Sequence, residues 1–222
     1  KSDFDEQGNL KVDSKGKQIL PEMSLGNPRP GDALFKDMNH DGKIDGNDKT
    51  YFGYSDRPDY VLGFLGGLKW KNFEFSMQWT AALNASRLLD QEYRDSFGST
   101  NSRMLLKFLA DGRWNEGNQD NARFPRLTFQ SKSHYTEQSD LWLMNGSYLR
   151  LKTAEISYTF TNRNLLKKIG VESVKLYCNG YNLLTLFSDL NDIDIDPEGM
   201  TSGETSAYPN IRIYNFGVNI SF

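Results

Sequence analysis

No stretch of the 222-residue chain approaches the ~20 consecutive apolar residues that a helix needs to cross a bilayer. Helical membrane spans are excluded, whereas strand spans are not. A barrel strand needs only ~9–11 residues, and every second one can be polar. Cysteine is nearly absent too. The single Cys178 can form neither an internal disulfide nor, alone, a thiolate metal site, and it reads as a small buried or lipid-facing residue. Nor is there an excess of basic charge. The 26 Lys and Arg stand against 29 Asp and Glu, a net charge of −3, so nucleic acid is not an expected partner.

Enzyme motifs are missing as well. His40 and His134 lack an H-E-x-x-H context, no serine sits in a G-x-S-x-G elbow, and the glycine-rich pieces match neither a P-loop nor a dinucleotide fingerprint. Asp192, Asp194 and Asp196 alternate along the chain and are expected in an acidic loop facing solvent, not as glycosidase carboxylates. No catalytic residue is assigned, and the chain is not expected to be an enzyme.

What the sequence does contain is alternation. Residues 1–59 are polar and rich in turn residues, and they read as a long loop with short extended pieces. Strands are then predicted over 60–70 and 73–83, joined by a tight turn at Lys71 and Asn72. In the second, Phe73, Phe75, Met77, Trp79, Ala81 and Leu83 oppose Glu74, Ser76, Gln78 and Thr80. A second polar stretch, 84–146, holds a short predicted helix over 103–112, with Ser102 as N-cap and Gly112 as stop.

Further strands are predicted over 148–160, 174–187 and 211–222. In the first of these, Ala154, Ile156, Tyr158 and Phe160 share a parity with Arg150 and Lys152. Either the upper part stands clear of the bilayer or a bulge changes the phase. In the last, Tyr214, Phe216, Val218, Ile220 and Phe222 oppose Asn215, Gly217, Asn219 and Ser221. Connections of about 60 and 20 residues alternate with turns of about 2 and 12, the asymmetry of a transmembrane barrel with long outer loops and short periplasmic turns. Tyr60, Trp70, Phe73, Trp79, Phe160, Tyr214 and Phe222 lie near strand ends, as interfacial aromatic girdles would.

The sharpest local signal runs from Asp37 to Asp48. Asp37, Asn39, Asp41, Asp45 and Asp48 place oxygens at positions 1, 3, 5, 9 and 12 of an EF-hand-type loop, with Gly42 at the turn position and Lys43 offering its carbonyl. Ca²⁺ is the expected ion, in a loop-bracing role, because no long amphipathic helix flanks the loop. An acidic turn held by its own hydrogen bonds is the alternative. Tyr93, Arg113, Trp114 and Tyr135 are candidate substrate contacts in the loops.

Pro30-Gly31-Asp32 leads into the Asp37–Asp48 loop, Arg113-Trp114 is followed by Phe124-Pro125-Arg126, and Trp142 leads into Asn145-Gly146-Ser147-Tyr148-Leu149-Arg150-Leu151-Lys152. With Asn179 to Leu183, Tyr208-Pro209 and the terminus Phe216 to Phe222, these segments together resemble the SusC/RagA family of TonB-linked outer-membrane transporters. The resemblance implies an all-β fold, the C-terminal strands (60–222) of an about 22-stranded transmembrane barrel, with 1–59 as an extracellular loop.

It also implies a bacterial outer-membrane location, import of oligosaccharides or oligopeptides, a SusD-like surface lipoprotein partner, and energy from TonB through a region not in this sequence. Tyr214, Phe216, Gly217, Val218, Ile220 and Phe222 would form the signal read by the barrel-assembly machinery. The chain starts at Lys1 without a signal peptide and is expected to be a fragment or a processed chain. The competing readings are a secreted calcium-binding all-β carbohydrate-binding module and a siderophore or cobalamin receptor.

Overall fold

The computed structural model describes residues 3–5, 7–97, 105–129, 137–161, 166, 168, 170–199 and 210–222. In chain order the strands are β1 (Glu22–Met23), β2 (Lys43–Ile44), β3 (Tyr60–Trp70), β4 (Phe73–Leu83), β5 (Ser86–Leu88), β6 (Leu143–Asn145), β7 (Tyr148–Phe160), β8 (Ser173–Leu186) and β9 (Ile213–Ser221). Two short helices, α1 (Gln91–Arg94) and α2 (Lys107–Gly112), lie between β5 and β6. Of the predicted 103–112 helix, residues 105–112 are described, and the helix there spans Lys107–Gly112. Ser102 lies outside the described residues.

Two compact units result. One comprises residues 1–53 and 88–143, so the two long polar stretches cluster together, and the other comprises 54–87 and 144–222. In the second unit, β3, β4, β7, β8 and β9 form one sheet in that order, each strand antiparallel to its neighbour. This meander follows from sequence order alone, since antiparallel neighbours need no crossover. The predicted bounds of β3, β4 and β7 agree with the structure, because alternation there runs to the strand ends.

The pairing register sorts the sheet into two chemically distinct faces. Across one face run Leu68, Phe75, Ile156, Cys178 and Phe216, each opposite the next on adjoining strands. Across the other run Lys69, Glu74, Ser157, Tyr177 and Gly217. Among the described residues nothing covers the apolar face: Leu68 is 68 % exposed and Phe216 81 %. Each such side chain left in water forgoes about 1.5–3 kcal/mol, and a soluble sandwich would cover the face with a second sheet. The buried apolar residues instead lie mostly off the sheet, among them Leu89, Leu109, Phe124, Trp142, Leu190 and Ile193.

A bulge answers the phase question in β7. Gln78 and Trp79, consecutive in β4, pair with Thr153 and Leu151, which leaves Lys152 as the extra residue. Above it, Leu149 and Leu151 join the apolar face opposite Ala81 and Trp79, while Arg150 falls on the polar face between Thr80 and Thr185. Without that extra residue in the ladder, Arg150 would be driven into the apolar face. Strand β8 compensates at the same level, where Asn182 takes a left-handed φ of 52°.

Aromatic residues gather at the short-turn end of the sheet. Phe73 and Tyr158 meet edge to face at 4.6 Å, as do Tyr158 and Phe160, and the Lys71 ammonium lies 4.9 Å from the Trp70 ring centroid. Tyr60 and Tyr214 mark the opposite end. Trp79 does not belong to a girdle. It pairs with Phe64 and Leu151 inside the sheet, four residues short of the end of β4.

Candidate functional site

The polar face carries a ladder of alternating charge. Lys69 pairs with Glu74, Lys175 lies 3.6 Å from Glu74 and 3.4 Å from Glu155, Asn179 donates to Glu155 at 3.4 Å, and Asn215 donates to Asn179 at 3.0 Å. One row of side chains thus joins all five strands. Each carboxylate meets an ammonium group, which is how a polar surface tolerates charges on neighbouring strands.

Nearer the long-loop end, Arg150 is almost wholly buried and makes three bonds. Its Nε donates to Thr185 Oγ1 at 2.9 Å, Nη1 to Glu198 Oε2 at 2.8 Å and Nη2 to Asp196 Oδ1 at 2.7 Å. Lys152 Nζ reaches the same Glu198 oxygen at 2.6 Å, and the Tyr148 hydroxyl donates to Glu198 Oε1 at 3.0 Å. Asp196 therefore does not face solvent as the acidic-loop expectation had it, because a buried guanidinium demands anionic acceptors. Asp192 and Asp194 are exposed.

In the other unit, a cavity of about 650 Å³ is lined by residues from four segments, among them Phe4, Phe35, Lys36, Trp114, Arg123 and Asp140. Trp114 is held there by two constraints. Its N–H donates to Phe124 O at 2.8 Å, and its indole packs on Gly31, where a Cβ would collide with the ring. The same turn is pinned by Arg126, whose Nε donates to Asp32 at 2.7 Å and whose backbone N–H donates to Gly31 O at 2.7 Å. Beneath it, Phe124 stacks on buried Trp142 at 5.5 Å and meets Phe108 edge to face at 5.4 Å.

Of the candidate substrate contacts, Trp114 alone lines this cavity. Arg113 turns back to donate to Ala110 O at the end of α2, satisfying a carbonyl that the helix leaves open. Tyr93 sits in α1, away from the cavity lining, and Tyr135 lies outside the described residues. Phe35 and Lys36 were missed, since a short polar loop carries no signal of which side chains turn inward.

The Asp37–Asp48 loop directs its oxygens to its own backbone. Asp37 accepts from His40 N at 2.6 Å and Gly42 N at 2.9 Å, and Asn39 from Asp41 N at 3.0 Å. Asp41 accepts from Lys43 N at 2.8 Å and Asp45 from Asn47 N at 2.7 Å. Asp48 accepts from Asp45 N at 2.8 Å and Met38 N at 2.8 Å, donors that hold its carboxyl below the usual carboxylate range. Among the described residues no three His, Cys, Asp or Glu side chains gather as a metal cage.

Of the assembly-signal residues, Tyr214, Phe216, Val218 and Ile220 point to the apolar face of β9 and Phe222 follows the strand's end, all exposed. Gly217 points to the opposite face, beneath Tyr177.

No protein-family model matches the chain. Curated proteins do. TonB-dependent receptor P3 of Formosa agariphila is 28 % identical over 209 residues, 89 % of this chain and 20 % of its own. TonB-dependent receptor SusC of Bacteroides thetaiotaomicron is 26 % identical over 200 residues, 88 % of this chain and 18 % of its own. The chain thus spans about a fifth of the length of the curated relatives it matches.

Among solved structures, the RagAB peptide importer in its 'open-open' state superposes with a TM-score of 0.61 at 22 % identity, covering 86 % of this chain and 20 % of that one. The 'closed-closed' state gives 0.59 over 99 % of this chain and 22 % of that one. The fold is therefore a section of a larger barrel wall, its place is the outer membrane, and its relatives are receptors and transporters, not enzymes. By sequence the chain is similar to TonB-dependent receptors, SusC among them, and by fold it matches a section of the RagAB peptide importer.

Proposed function

We propose that the chain forms part of an outer-membrane nutrient importer driven through TonB, taking up oligosaccharides or oligopeptides with a SusD-like lipoprotein at its outer face. The observation that carries this reading is the register, which holds an uncovered apolar face and a charge-laddered polar face through all five strands. A sheet with hydrocarbon on one side and a watery lumen on the other needs this sorting. A secreted carbohydrate-binding module would have to cover the apolar face. Both edge strands also need partners in a membrane, which further strands of a longer polypeptide would supply.

The test is fractionation of source cells, then uptake of labelled oligosaccharides and oligopeptides with and without the gene. Recovery in outer membranes with a co-purifying surface lipoprotein, and loss of uptake of one class on deletion, support the proposal. A soluble protein, or unchanged uptake of both classes, removes it.

The same reading gives the Asp37–Asp48 loop a calcium ion that stiffens it. An oxygen that accepts one N–H keeps a second lone pair. Asp37, Asn39, Asp41, Asp45, Asp48 and the Lys43 carbonyl together supply the hard donors that Ca²⁺ takes. Saturable calcium binding lost in Asp41→Ala supports this role. Its absence leaves the turn braced by hydrogen bonds alone.

A further inference from the structure

The connection between β8 and β9 carries more buried contacts than an exposed loop requires. Its first part, Asp189–Ile193, is a 3₁₀ turn that buries Leu190 and Ile193, and Pro197 beyond it is also fully buried. The turn is fixed to the last residue of β6 at two points, where Asn145 N donates to Asp189 Oδ2 at 3.3 Å and Ser188 Oγ donates to Asn145 O at 3.4 Å. Asp194, at φ 58°, then turns the chain so that Asp196 and Glu198 reach Arg150. Further on, Asn210 donates to both carboxylates, from its N–H to Asp196 at 3.2 Å and from Nδ2 to Glu198 at 3.0 Å.

The direction of this fold is set by the β7 bulge. Tyr148 and Arg150 pair with Ala82 and Thr80 on the polar face, and the extra residue Lys152 adds a second cation to the same cluster. A loop bonded to these three side chains must cross the polar face.

We infer that the segment 188–198 is a strap, locked by Arg150 and Lys152 across the lumen side of the wall at its long-loop end, so that it permanently narrows the entrance there. This rests on the barrel reading for which side is the lumen. The lock is specific to a forked cation. Arg150 spends three separate donors on two loop carboxylates and Thr185, a geometry that an ammonium cannot reproduce. Removing the cation would leave two carboxylates drawn toward water, so the strap would swing out instead of collapsing inward.

The test is a distance measurement in the full-length protein, in a Cys178→Ser background, between spin labels at Asp192→Cys in the strap and Thr161→Cys beyond the far end of β7. A single narrow distribution is expected, turning broad and longer in Arg150→Met and only partly so in Arg150→Lys. Lys175→Met, lower on the same face, should leave it narrow. If Arg150→Met does not assemble, the pair Asp196→Asn with Glu198→Gln must produce the same broadening.

A broad distribution in the parent protein, or equal distributions in parent and lock variants, overturns the strap. Assembly is read separately, by heat-modifiable gel mobility. Failure of the barrel reading therefore shows as loss of that mobility shift in the parent itself.

Discussion

The phenol end of Tyr177 on β8 occupies the space that a side chain at Gly217, its directly paired neighbour on β9, would fill. The glycine is required by contact, since the ring covers a backbone that would otherwise be bare, and the aromatic in turn holds the last strand in register. Gly217→Val is expected to displace the ring and weaken the β8–β9 pairing by about 1–3 kcal/mol. Heat-modifiable mobility should show it as a lowered unfolding temperature. Tyr177→Ala with Gly217→Val should recover part of that loss, because the clash is then gone.

The bulge at Lys152 makes a prediction that a regular strand would reverse. In an unbroken strand residues 151 and 153 face the same way, whereas here Leu151 pairs with Trp79 on the apolar face and Thr153 with Gln78 on the polar one. In a Cys178→Ser background, Thr153→Cys should react with a water-soluble maleimide and Leu151→Cys should not. Equal labelling of the two would mean that the bulge is absent.

Much of the sheet was legible in the sequence, because period-two alternation specifies a strand and its faces together. It sufficed for β3, β4 and most of β7. At Arg150 and Lys152 it left two readings open, of which the bulge is the one found, since parity within one strand cannot show where the partner strand drops a residue; only the register of β4 does. The acidic partners were equally hidden. Asp196 lies 46 positions from Arg150, and an isolated D-I-D-I-D reads as solvated until something buried claims one member. In the loop unit, Trp114 was picked out as a large aromatic, but the turn of Arg113 back onto Ala110 depends on where α2 ends.

Gly31 supplies a test of the loop unit. It combines a φ of 86° with a position directly under Trp114. Gly31→Ala therefore meets both backbone strain and a clash, a loss of about 1–3 kcal/mol locally. Trp114 should move toward solvent, seen as a red-shifted fluorescence component absent in a Trp114→Phe background.

Asp48 sets the acid limit of its loop. Its carboxyl is held below the usual value of 3.8, first by the Asp45 N–H and then by that of Met38. A depressed carboxylate stabilises the folded loop at pH above the unfolded value, and the contribution is lost as pH falls through the folded one. Backbone amide exchange at Met38 and Asp45 should thus be slow at neutral pH relative to an Asp48→Ala variant. The difference should vanish in acid, below the unfolded value.

The charge ladder has a consequence for whatever moves along the polar face. Lysine and glutamate side chains are long, and free in water each sweeps a wide volume. Here Lys175 is held between Glu74 and Glu155, and all three lie sideways between strands, each only about a third exposed. Tied down in pairs of opposite sign, they leave no brush of tethered arms and no single-signed charge to snag a passing solute. In the importer proposed above, the wall around Lys175 would be a slippery lining, its bore set there by the backbone more than by these side chains.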